Sequence, residues 1–113
     1  MLQLKDPTLL RHQAYVNGAW MDADGGQTIN VSNPATGEHI GTVPLMGAAE
    51  TRRAIEAANA AWPAWRKKTA KERAAVLRRW HDLILENADD LALIMTTEQG
   101  KPCLLYTSDA ADE

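Results

Sequence analysis

One stretch of the sequence decides the second half of the fold, namely residues 69–86, TAKERAAVLRRWHDLILE. It opens on a capping box, in which the Thr69 hydroxyl accepts from the backbone of Glu72 and the Glu72 carboxylate reaches back to Thr69. Apolar residues then recur at helical spacing, which predicts an amphipathic helix with one buried stripe. We expect that stripe to consist of Val76, Leu77, Trp80, Leu83 and Ile84.

A second helix is predicted upstream, from about Ala48 to Ala61. Gly47 marks its start, and Pro63 is expected to end it because proline lacks the N–H group that a helix interior needs. Its apolar side is rich in alanine, which allows a neighbouring element to approach closely. We expect the following residues on the buried side, with Trp65 beyond the break: Ala54, Ile55, Ala58, Ala61 and Trp62.

A third helix is predicted downstream, starting near Asn87. Gly100 is expected to cap its end in a left-handed conformation, and Pro102 blocks its continuation. Its expected buried residues are Leu91, Ala92, Ile94 and Met95. If the sheet on which such helices pack were missing, their Leu, Ile and Trp stripes would be exposed and the chain would be marginally stable.

The first part of the chain is rich in strand signals. Asn17-Gly18 favours a type I′ turn and predicts a β-hairpin over residues 13–21. The hairpin is followed by a turn at 24–26, a strand at 28–31, a tight turn at 33–37 and a strand at 38–43 that Pro44 is expected to stop. Residues 6–12 are predicted to form a short helical turn with Asp6 as its N-cap. The predicted fold class is therefore α+β, strands followed by three helices.

Residues 103–113, CLLYTSDAADE, fit one reading frame of the transposase adaptor that is ligated to DNA for short-read sequencing. An ordinary acidic tail is the alternative. On the adaptor interpretation residues 1–102 are the N-terminal piece of something longer and residues 103–113 are not native. The sole cysteine, Cys103, then has no function.

Charge and hydropathy favour a soluble cytoplasmic protein. The formal net charge is -3, and the three acids after residue 102 account for it, which leaves twelve basic and twelve acidic residues. This balance gives no reason to expect nucleic acid or an anionic membrane as partner. The N-terminus does not resemble a signal peptide, and no apolar run approaches the ~18 residues of a membrane span.

No residue pattern indicates a catalytic or metal site. His12, His39 and His81 are not at metal-ligand spacing and are interpreted as surface or packing residues. Asp89 and Asp90, at a helix start, favour the helix dipole and satisfy amides rather than forming a catalytic pair. A basic cluster is interpreted as a solvated helix face, and Trp62, Trp65 and Trp80 as core packing rather than base stacking. The cluster comprises Arg66, Lys67, Lys68, Lys71, Arg73, Arg78 and Arg79.

The order of several short motifs resembles the N-terminus of the aldehyde dehydrogenase family, over about residues 9–102. The motifs are YVNGAW at 15–20, VSNPATGE at 31–38, GTVP at 41–44, AIEAA at 54–58, WPAWR at 62–66, TAKER at 69–73 and EQGKP at 98–102. Within the family, LLR at 9–11 and MTTEQGKP at 95–102 are most similar to the bacterial succinate-semialdehyde dehydrogenases.

The resemblance implies an α/β parent with a Rossmann-like cofactor domain, a catalytic domain and an oligomerisation arm, of which this chain opens the cofactor domain. It implies oxidation of a small aldehyde, here succinate semialdehyde, to a carboxylate with NADP+ or NAD+, by a cysteine nucleophile and a glutamate-activated water. It also implies a cytoplasmic homodimer or homotetramer without nucleic acid or membrane partners.

The family's catalytic cysteine, glutamate and asparagine, and its cofactor-binding lysine and glycines, fall downstream of Pro102. No catalytic, cofactor-binding or metal-binding residue is therefore assigned to this chain, and the polypeptide is expected to be inactive. The alternative is a freestanding helical module without catalysis. Such a module would bind nucleic acid through its basic face or would regulate a full-length dehydrogenase.

Overall fold

The computed structural model describes residues 2–101. The predictions that concern Pro102 and residues 103–113 lie outside this range. The observed elements confirm the α+β prediction for this segment. They are a 3-10 turn at Pro7–Leu9, four strands (β1 Ala14–Val16, β2 Ala19–Met21, β3 Thr28–Ser32, β4 His39–Pro44) and three helices (α1 Ala48–Lys67, α2 Ala70–Glu86, α3 Ala88–Gln99).

The first hairpin pairs β1 with β2 antiparallel, with Tyr15 opposite Trp20. Asn17 and Gly18 have φ angles of 51° and 78°, which are the two positive values of a type I′ turn. The Tyr15 and Trp20 rings lie 5.1 Å apart, and the Arg11 guanidinium lies 4.4 Å from the Trp20 ring centroid. The hairpin predicted from Asn17-Gly18 is confirmed, and a cation–π contact adds to its outer face.

The second hairpin pairs β3 with β4 antiparallel. The turn between them is held by Asn33, whose Oδ1 accepts from the Ala35 N–H at 2.8 Å and whose carbonyl accepts from the Gly37 N–H at 2.8 Å. The prediction that Pro44 stops this strand is wrong by one residue, because Pro44 lies opposite Thr28. Proline is tolerated there because every strand of a two-stranded sheet is an edge strand.

Helix α1 runs through Pro63 to Lys67, so the prediction that Pro63 ends it is wrong. The end of α1 is set by the start of the next helix. An N-cap residue needs an extended conformation, and Lys68 and Thr69 have ψ angles of 147° and 160°. The Lys68 N–H donates to the Trp65 carbonyl at 3.1 Å and tightens the last turn.

The helix caps of α2 and α3 follow the sequence signals. Thr69 Oγ1 accepts from the Glu72 N–H at 3.2 Å, and Glu72 Oε2 accepts from the Thr69 N–H at 2.8 Å, which confirms the capping box. Gly100 has a φ of 85°, and its N–H donates to the Thr96 carbonyl at 2.8 Å. This geometry confirms the predicted left-handed cap of α3.

The start of α1 is tied to the loop that follows the first hairpin. The Glu50 carboxylate accepts from the Gly47 N–H at 3.3 Å and from the Asp24 N–H at 3.4 Å. Arg53 forms an ion pair with Asp24, and the hydrogen bond to Asp24 raises the pKa of the Arg53 guanidinium. Both ion-pair side chains are more than half exposed, so the pair fixes geometry more than it adds stability.

The predicted helical turn at residues 6–12 is shorter than expected and spans Pro7–Leu9. Asp6 caps it by accepting from the Thr8 N–H at 3.0 Å and from the Thr8 hydroxyl. The hydroxyl hydrogen bond, followed by the backbone one, lowers the pKa of the Asp6 carboxyl.

Little of the described chain is buried. Ala23 and Ala92 are its buried apolar residues and Asp90 is its buried charged residue. The predicted buried stripe of α2 is exposed, Trp80 by 63 %, and Met95 of α3 is also exposed. On α1, Ile55 and Trp62 are likewise exposed, whereas Trp65 is half-buried. Burial was wrongly predicted for these stripes because the described residues supply no surface to cover them. The exposure agrees with the second expectation, that the Leu, Ile and Trp stripes of the helices would be exposed if the sheet on which they pack were missing.

We predict that Thr69→Ala destabilises the chain by about 1 kcal/mol, the usual cost of losing a side-chain N-cap. Thr69→Ser keeps the hydroxyl and should change the free energy of unfolding by less than about 0.5 kcal/mol. Urea unfolding followed by circular dichroism measures both. Equal midpoints for the two variants would contradict a capping role for the hydroxyl.

We also predict that Thr8→Ala raises the pKa of Asp6 towards its ordinary value of 3.8, whereas Thr8→Ser leaves it lowered. A lowered folded-state pKa stabilises the fold above the ordinary value, and this contribution is lost as the pH falls through the folded-state pKa. The acid limb of the stability profile should therefore be shallower in Thr8→Ala. NMR titration of the Asp6 carboxyl is the measurement, and identical titration curves for both variants would contradict it.

Candidate functional site

The three histidines lie on separate elements and their side chains are exposed. His12 precedes β1, His39 starts β4 and His81 lies within α2. His81 Nδ1 lies 3.3 Å from Asp82 Oδ1, and both side chains are about half exposed. Within residues 2–101, no group of three or more His, Cys, Asp and Glu side chains can hold a metal ion.

His12 has a packing role. A Cβ added to Gly41 would lie 2.5 Å from His12 Cε1, so the imidazole rests directly on the backbone of β4. Leu10 and His12 line a small cavity with Val31, Ile40 and Gly41. The interpretation as a packing histidine fits this contact, and the sequence carried no signal that Gly41 would be its partner.

Asp89 and Asp90 do not form a catalytic pair, because their carboxylates bind different groups. Asp90 Oδ1 accepts from the Lys5 N–H at 2.9 Å, and Asp90 Oδ2 accepts from the Asp6 N–H at 2.9 Å. Asp89 Oδ2 lies 3.1 Å from Lys5 Nζ in an exposed ion pair. Asp90 therefore satisfies amides, as expected, but they belong to the N-terminal segment and not to the first turn of α3.

The basic cluster lies at the end of α1 and along α2. Its members are exposed except Arg73, which is half-buried, and Arg79 Nη1 lies 3.7 Å from Glu86 Oε1. The arrangement fits a solvated helix face interrupted by acids. Arg73 differs from the others, because its Nε is buried without a hydrogen-bond partner in the described part of the chain. A buried N–H without an acceptor is costly, so Arg73 marks a place where an acceptor is expected.

Exposed apolar side chains recur along α1 and along α2. We call this set the apolar face and define it by Ile55, Trp62, Val76, Leu77, Trp80, Leu83 and Ile84, all of which are exposed. Apolar patches of this kind on soluble proteins mark interaction sites. No helix within residues 2–101 has both the length and the hydropathy that crossing a membrane requires.

Comparison with known proteins identifies the chain's relatives. Residues 20–112 match the aldehyde dehydrogenase family. The chain belongs to this family. The motif order therefore predicted the family correctly.

Two relatives that are named for particular semialdehydes match most of this chain. The chain is 72% identical over 101 residues to a glutarate-semialdehyde dehydrogenase of Pseudomonas putida, which covers 89% of this chain and 21% of that protein. It is 58% identical over 101 residues to the NADP+ succinate-semialdehyde dehydrogenase of Escherichia coli, with coverage of 89% and 21%. The chain thus spans about 21% of the length of these curated relatives.

A solved structure from a semialdehyde dehydrogenase also matches this chain. The crystal structure of succinate-semialdehyde dehydrogenase from Burkholderia pseudomallei matches with a TM-score of 0.87 and 69% identity, over 89% of this chain and 21% of that one. This match confirms the predicted likeness to succinate-semialdehyde dehydrogenases, and the Pseudomonas putida relative shows a likeness to glutarate-semialdehyde dehydrogenases as well.

We predict that Leu77→Lys lowers the free energy of unfolding of the chain by less than about 0.5 kcal/mol, because residue 77 is exposed and both side chains favour helix. Ala92→Lys, at a buried position, should lower the free energy of unfolding by about 2 kcal/mol or more, because a charge would enter the core. Leu77→Lys should also reduce binding of a hydrophobic dye. Equal destabilisation by the two substitutions would show that the apolar face is covered in solution.

Proposed function

We propose that residues 1–102 are the N-terminal part of an NAD(P)+-dependent aldehyde dehydrogenase that oxidises the semialdehyde of a short dicarboxylic acid. The observation that carries the proposal is the 72% identity to a protein named for glutarate semialdehyde, together with 58% identity to one named for succinate semialdehyde. Succinate semialdehyde is the substrate expected from the motifs, and glutarate semialdehyde is longer than it by one carbon. The whole enzyme is proposed to be a cytoplasmic homodimer or homotetramer.

The described residues do not fit a role in holding the nicotinamide cofactor. Their glycines do not form a phosphate-binding GxGxxG pattern. No step of the oxidation is therefore assigned to residues 2–101, and the prediction that this chain contributes no site residue is kept in the proposal. The catalytic cysteine, its glutamate and the cofactor contacts would come from the rest of the longer protein.

The proposed contribution of this chain is a docking surface for that longer protein. The apolar face is uncovered within residues 2–101, and the matched relatives are about five times longer than the matched segment. Covering Trp80 and Leu77 would remove apolar surface from water, at about 25 cal/mol for each Å² buried.

The proposal predicts that the purified chain forms no NADPH or NADH with succinate or glutarate semialdehyde. In contrast, a chimera should be active in which residues 2–101 replace the aligned segment of the Escherichia coli succinate-semialdehyde dehydrogenase. Nicotinamide absorbance measures both. A Leu77→Lys chimera should lose solubility or activity, since the docking surface would carry a charge, whereas Arg78→Lys should behave like the parent chimera.

Turnover by the chain itself, or a folded chimera without activity, would contradict the proposal. The boundary at residue 102 has its own test, which is to sequence the source DNA across the codons for Lys101 and Pro102. A frame that continues to a cysteine nucleophile and a glutamate supports residues 103–113 as non-native. A frame that encodes these residues and then stops would overturn the proposal in favour of a non-catalytic module.

A further inference from the structure

The N-terminal segment, residues 2–10, lies across α3 and is fastened to it by one carboxylate. Asp90 is 6 % exposed, and each of its oxygens accepts one backbone N–H, from Lys5 and Asp6, at 2.9 Å. The partners are 84 and 85 residues apart along the chain. A buried charge requires such hydrogen bonds, because an ionised carboxylate without them is very costly to bury.

A carboxylate suits this contact better than any other side chain. Its two oxygens are both acceptors, so neighbouring N–H groups can bind side by side, whereas an amide offers one acceptor and a competing donor. Asp90 also lies in the first turn of α3, where the helix dipole favours a negative charge. The adjacent ion pair between Lys5 and Asp89 is exposed by more than 80 % on both sides and adds little.

The segment reaches beyond Asp90 to the second hairpin. Leu2 and Gln3 border a recess with Asn33, Glu38 and Leu93, so they lie between the turn of that hairpin and α3. The same turn touches the end of α3, where a Cβ on Gly100 would lie 3.5 Å from Pro34 Cγ. The turn at 33–38 therefore borders the same recess as the N-terminal segment and also lies close to the C-cap of α3.

We propose that residues 2–10 act as a strap over α3, that Asp90 is its fastening, and that the docked strap holds the C-cap at Gly100 in place. The proposal does not depend on the proposed function, because every contact that carries it lies within residues 2–101. It assigns Asp90 a positioning role, in which the carboxylate orders two distant segments at once.

Amide hydrogen exchange by NMR on the full 113-residue chain tests the strap. In Asp90→Asn, the amides of Lys5 and Asp6 should exchange at least about tenfold faster, and the Gly100 amide should follow, because one acceptor oxygen is replaced by a donor. Amides in the middle of α2 should stay within about twofold, since the hydrogen bonds that hold the strap come from Asp89 and Asp90 of α3. Asp89→Asn is the matched control and should leave all of these amides within about twofold.

A second pair of variants keeps the test valid if Asp90→Asn unfolds the chain. Lys5→Pro removes the backbone donor while Asp90 stays intact, and Lys5→Ala removes only the ion pair with Asp89. Faster exchange at Asp6 and Gly100 in Lys5→Pro, but not in Lys5→Ala, supports the strap. Unchanged exchange in Lys5→Pro, equal effects of the two Lys5 variants, or equal effects of the two Asp variants would overturn it.

Discussion

An apolar helix face has to be covered by another surface, and the arrangement of α1 and α2 depends on this requirement. The stripe of α2 has the spacing of a buried helix, yet Val76, Leu77 and Trp80 are all more than half exposed. None of the elements within residues 2–101 covers it. Amphipathic helices are stabilised mainly by packing of their apolar side, because most helix stability in proteins comes from such packing. The curated relatives that match this chain are about five times longer than the matched segment.

Helix α3 shows the opposite case, a helix whose partners are present. Asp90 binds the N-terminal segment, Pro34 of the turn at 33–37 lies close to Gly100 at its other end, and Ala92 is buried. The difference between α3 and α2 does not follow from their caps, since α2 begins at the Thr69 capping box whereas Asn87 gives α3 no side-chain cap. It is a difference in which surfaces the described chain provides. The N-terminal segment is hydrogen-bonded to α3, and α1 is joined to the loop at Asp24 by exposed polar contacts.

Local signals were read correctly from the sequence because they act within a few residues. Asn17-Gly18, the Thr69 capping box and Gly100 each fix a turn or a cap with groups no more than four residues away. Pro63 was misread because the end of α1 depends on the competing cap of the next helix, and the cost of one missing hydrogen bond is spread over a long helix. Burial of Trp80 was misread because burial is a property of a partner surface. The amide partners of Asp90 were missed because nothing in the sequence pairs residues so far apart.

The distinction between local and distant interactions also explains why the sequence of this chain identifies its family more readily than a substrate. The motifs that carry the resemblance coincide with folding features: YVNGAW is a hairpin, SNPATG is an Asn-held turn, TAKER is a capping box and EQG is a helix end. These features specify a scaffold, and a scaffold can be shared by enzymes with different substrates. Relatives named for glutarate semialdehyde and for succinate semialdehyde match the same stretch of this chain, as expected if it positions other elements and touches no substrate.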